Sequence, residues 1–161
     1  MSVNRVYHTW LERIGQLRPK ERRTRLRNFA WIVAGILLSR SVHLSCIAEK
    51  IPGAATTVSK TRRIARFLNN SAVRVREWYA PVARDLLADA VAHGLEVRLV
   101  TDGTKIGFGH QLLMVALVCR RRALPIAWTW VRSARGHSSA HKQQALWTYI
   151  RGLLPADAQV V

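Results

Sequence analysis

Asp102 follows an apolar, strand-like stretch, Glu96-Val97-Arg98-Leu99-Val100-Thr101, and precedes Gly103 and Thr104. A lone carboxylate at a strand end is held by the sheet while facing solvent or a cation. Phosphodiester hydrolysis needs an activated oxygen and a stabilised leaving oxygen. Two divalent cations about 4 Å apart, shared between carboxylates, do both. Magnesium suits this role because it prefers hard oxygen ligands. The competing reading is local, since Asp-Gly is a common turn pair. A second set, Lys60, Arg62, Arg63 and Arg66, surrounds Ile64, Phe67 and Leu68. Packing the apolar side inward would present these cations to phosphates, and the arginine fork also matches guanine edges. A solvated basic helix face is the alternative.

Periodicity predicts the helices and strands that carry these residues. Val6, Trp10, Ile14 and Leu17 predict an amphipathic first helix ended by Pro19. A second helix is expected from about Glu21 to Ser41, its start crowded with arginine and its middle apolar on all sides, which implies burial. A third, over 42–51, carries Leu44, Ile47, Ala48 and Ile51 on one face and breaks at Pro52-Gly53. Thr57 or Ser59 caps a fourth that runs to Asn69. Residues 42–70 therefore read as a helix-turn-helix-like segment. A fifth helix spans about Val73 to His93, with Pro81 inside and Gly94 as its C-terminal cap.

After residue 95 the composition changes to Val, Leu and Trp broken by glycines. Strands are expected over 96–101, 111–119 and 124–131, with Pro125 opening an edge strand. A helix over 139–154 follows, capped by Ser138 or Ser139, and a strand begins at Gln159. Trp128 and Trp130 share a pleat face, which favours core packing over base stacking. His137 and His141 are four apart and could ligate a metal, but no third ligand is near and capping suits them better. The fold class expected is α+β, a basic helical domain over 1–95 followed by three strands and a helix over 96–161.

Charge sets the partner. Twenty-six Lys and Arg stand against nine Asp and Glu in 161 residues, a net +17, with an isoelectric point near 11.6. Such an excess repels itself unless a polyanion neutralises it, so double-stranded DNA is the expected partner. Cys46 and Cys119 form no CxxC pair and suit a reducing cytoplasm. Arg22-Arg23 before the apolar run Phe29–Leu38, with Cys46 beyond, loosely imitates an export signal. Arg25, Arg40 and His43 break that pattern, and ten residues are too few to span a bilayer.

Leu99-Val100-Thr101-Asp102-Gly103-Thr104 and the hairpin behind them resemble the first catalytic Asp of DDE transposases of bacterial insertion sequences. Their catalytic core is RNase H-like. The resemblance extends over about residues 25–161. It implies that Asp102 is the first of three carboxylates holding Mg2+, with the second Asp just past Val161 and the Glu much further on. It also implies that the helical domain binds the element's terminal repeats through the basic helix. A chain with Asp102 alone is expected to be catalytically dead. Its Asp102 strand would have an open edge, which favours self-association. The alternative is a non-enzymatic DNA-binding protein, such as a repressor or transposition inhibitor.

Overall fold

A computed structural model describes residues 2–93, 96–107, 109–132 and 140–161. The elements run α1 (Val3–Leu17), α2 (Arg23–Ser39), α3 (Leu44–Lys50), α4 (Thr57–Leu68), α5 (Val75–Ala92), β1 (Leu99–Lys105), β2 (His110–Cys119), β3 (Arg122–Arg132) and α6 (Ala140–Arg151). The class is α+β, with helices and a three-stranded antiparallel sheet. The chain divides into two compact units, Met1–Trp78 and Tyr79–Val161. The division falls inside α5, whereas the composition changes near residue 95. The reason is packing: Ala80, Ala83 and Leu87 of α5 share a core with Val97, Leu117 and Ile126.

In the first unit, α1 to α4 bury Val6, Tyr7, Ile14, Leu26, Ala30, Ile32, Ile47, Ile64 and Phe67 together with Trp78. The α1 face differs by one position from the expected one. Tyr7 turns inward and stacks on Trp31, centroids 3.8 Å apart, and Trp10 stays 36% exposed. A stacked aromatic pair gains attraction beyond the area it buries. α2 is buried at Leu26, Ala30, Ile32, Ala34 and Gly35, while Leu37 is exposed, so its apolar middle is not covered on every side. α2 ends at Arg40, whose left-handed φ of 51° turns the chain so that α3 leaves at 98° to α2. No single helix among the described residues is long and apolar enough to cross a membrane.

Glu21 ties this unit together. Its carboxylate accepts from the Arg18 guanidinium at 3.1 Å, the Arg25 guanidinium at 2.9 Å and the Arg22 N–H at 2.9 Å. Arg18 also donates to the Glu77 carbonyl at 2.7 Å and lies 5.4 Å from the Trp78 ring centre. Burial pushes the Glu21 carboxyl up, but the Arg22, Arg18 and Arg25 bonds outweigh it and hold the pKa below 4.5. A carboxyl lowered in the folded state stabilises above its unfolded pKa. That stability is lost as pH falls through the folded value. Glu21→Gln is therefore expected to destabilise the protein by about 1–2 kcal/mol at pH 7 and to flatten the loss of stability below pH 4.5. Denaturant midpoints at pH 7 and pH 3 check this; an unchanged pH profile would remove Glu21 from the account.

In the second unit the sheet order is β1-β2-β3, antiparallel throughout. α6 lies on one face, where Leu146 and Ile150 pack on Leu113, Val115, Ala127 and Val131. The chain beyond α6 returns to the outer side of β1. Val97 and Val160 form a parallel bridge, with Val97 N–H to the Gln159 carbonyl at 2.9 Å and Leu99 N–H to the Val161 carbonyl at 3.1 Å. Pro125 lies within β3 rather than at its start. It pairs with Ala116 beside a register shift, a place where the missing N–H costs no ladder bond. The expected His137 ligand and the Ser138, Ser139 and Gly94 caps lie outside the described residues.

Candidate nucleic-acid interface

α4 begins at the N-cap Thr56, whose hydroxyl accepts from the Ser59 N–H at 3.3 Å, one residue before the expected Thr57. The helix is amphipathic because Ile64 and Phe67 turn inward and are buried. The four basic residues of the segment then separate. Lys60 is half-buried, and its ammonium donates to the Ile51 carbonyl at 2.6 Å. That carbonyl lies just past the end of α3, so Lys60 clamps the turn between α3 and α4. Spacing alone grouped it with the arginines; the side chain's reach back across the turn sets it apart.

Arg62, Arg63 and Arg66 are exposed. Arg62 and Arg66 line an open depression on the helix surface together with Ser59, Ala65 and Asn69. Positions 59, 62, 66 and 69 recur at three- and four-residue steps and form one stripe along the helix. Arg63 lies about 100° round the helix from Arg62. Ser59 and Asn69 were absent from the sequence-based set; their polar side chains at helical spacing from Arg62 and Arg66 were the signal. The surrounding sequence is one-signed, since residues 50–76 contain no Asp or Glu. An ordinary solvated surface intersperses both signs.

Asp102 is not at a strand end. It lies in the middle of β1 and pairs with Met114, and pairing continues through Gly103↔Leu113, Thr104↔Leu112 and Lys105↔Gln111. The chain reverses later, around Gly107 and Gly109, both with positive φ (64° and 74°). Asp-Gly is thus no turn here. Gly103 is glycine because the Gln111 side chain crosses over its Cα, and a Cβ there would meet the Gln111 amide. The Asp102 carboxylate is exposed, accepting from the Gly103 N–H at 2.8 Å and from the Thr104 hydroxyl at 3.4 Å.

No three of His, Cys, Asp and Glu converge among the described residues. One exposed carboxylate bonded to its own neighbours does not by itself make a magnesium site. By register, Asp102 shares its sheet face with Leu112, Met114, Trp128 and Trp130. Trp128 meets Tyr79 edge-on, centroids 5.0 Å apart. Trp130 is 54% exposed, not packed in a core as expected, because α6 covers the opposite face.

Among family models, curated protein sequences and solved structures, none matches this chain.

Proposed function

We propose that the chain binds double-stranded DNA through α4, in an architecture of the insertion-sequence transposase type. The observation that carries the DNA reading is the pairing of exposed Arg62, Arg63 and Arg66 with a stretch, 50–76, that has no acid to neutralise them. Phosphates are the natural counter-charge. The net +17 supports the same partner. The transposase reading is supported by the order strand, strand, strand, helix, with a returning segment parallel to the first strand. That is the order in which an RNase H-like core opens, with Asp102 as its first carboxylate. A non-enzymatic DNA-binding protein is favoured by one observation: both Asp102 oxygens are bonded locally.

The test is fluorescence anisotropy with a labelled duplex between 50 and 200 mM salt. Each phosphate neutralised contributes about 0.9 to the log–log slope, so a slope of about −0.9 or steeper is expected. A slope near zero would end the DNA reading. Asp102→Ala is expected to leave duplex affinity unchanged. In a chain carrying further carboxylates, the transposase reading expects that substitution to abolish cleavage; surviving cleavage would leave Asp102 as a structural strand residue.

A further inference from the structure

We infer that Ser59, Arg62, Arg66 and Asn69 form a base-reading stripe that enters the major groove of DNA, while Arg63 contacts phosphate and Lys60 only clamps the turn. The inference rests on the DNA-binding reading and adds what is read. These four residues share one side of α4, opposite the buried Ile64 and Phe67. The Lys60 ammonium is held by the Ile51 carbonyl and is withheld from DNA. The Ser59 hydroxyl accepts from Thr56 at 3.1 Å and keeps its own proton to donate. The Asn69 N–H closes the helix on the Ala65 carbonyl at 3.0 Å, which fixes its backbone, and Asn69 lines the depression.

The side-chain types match a base code. An arginine fork pairs with guanine O6 and N7, an asparagine amide pairs with adenine N6 and N7, and serine serves either. From Ser59 to Asn69 is ten residues, about 15 Å of helix at 1.5 Å per residue. At about 3.4 Å per base pair this covers about four base pairs. The stripe is therefore expected to select two G·C pairs and one A·T pair within a run of about four, with Ser59 adding little.

The experiment is selection from a randomised duplex pool, followed by affinity measurements on the winning site and its single-base variants. Arg62→Ala, Arg66→Ala and Asn69→Ala are each expected to flatten one position, costing between about 5- and 100-fold in discrimination. Arg62→Lys keeps the charge and loses the fork, so it should keep the salt slope and lose the guanine preference. Arg63→Ala is expected to weaken all sequences evenly and to reduce the slope by about 0.9. Duplex binding without sequence preference, or an even loss across sequences in Arg62→Ala, overturns the stripe and leaves the DNA reading standing. No duplex binding by the wild-type chain overturns both.

Discussion

Arg62→Ala combined with Arg66→Ala is expected to lower affinity for a duplex that carries the preferred bases by about 30-fold or more. Each bidentate arginine contact is worth about 1–3 kcal/mol, and about 1.4 kcal/mol is tenfold. The control is Lys105→Ala with Arg151→Ala, which also removes two charges, both exposed, but from β1 and α6. If binding followed net charge alone, the two double variants would lose affinity equally, because each starts from +17 and loses the same two charges. If α4 is the interface, the control loses less than about tenfold, through long-range attraction that salt screens. Equal losses in anisotropy titrations at 100 mM salt would remove α4 from its proposed role. Both arginines of the first variant are exposed, so their removal leaves the core of the unit intact.

Gly35→Ala is expected to destabilise the first unit, although the same change at Gly15 is expected to stabilise it. Both glycines lie within helices, Gly15 in α1 and Gly35 in α2. Alanine in a helix interior is favoured over glycine by about 1 kcal/mol. At Gly15 a Cβ meets nothing within 4 Å, so that gain is kept. At Gly35 a Cβ would lie 2.6 Å from Ile47 Cγ2 and 3.0 Å from the Ile47 carbonyl oxygen. The oxygen is backbone, so α3 itself must move away from α2.

Overpacking of this kind costs about 1–3 kcal/mol, which exceeds the propensity gain. A net loss of about 1 kcal/mol corresponds to about 4–8 °C in a unit of this size. Gly35→Leu is expected to lose several times more and to take DNA binding with it. Shifting α3 moves the Ile51 carbonyl that Lys60 uses to set α4. Thermal midpoints of the three variants check the signs; a stabilised Gly35→Ala would mean that the α2–α3 approach is looser than this packing requires.

The excess of positive charge, the helical N-terminal half and the buried faces of α3 and α4 were legible in the sequence. They are local properties: Ile47, Ala48 and Ile51 declare their face by spacing alone, and Ile64 and Phe67 do the same in α4. Details that depend on what lies across from a residue come from packing and strand pairing. Lys60 left the DNA-facing set because a carbonyl nine residues away captures its ammonium. Trp130 became exposed because α6 covers only the other face of the sheet.

Asp102 moved from a strand end to a strand middle because β2 pairs with the chain through Lys105. Local propensity favours a turn at Asp-Gly, since both residues are depleted in strands. What overrides it is non-local: the Gln111 side chain needs the space that only a glycine at 103 leaves, and the reversal passes to Gly107 and Gly109.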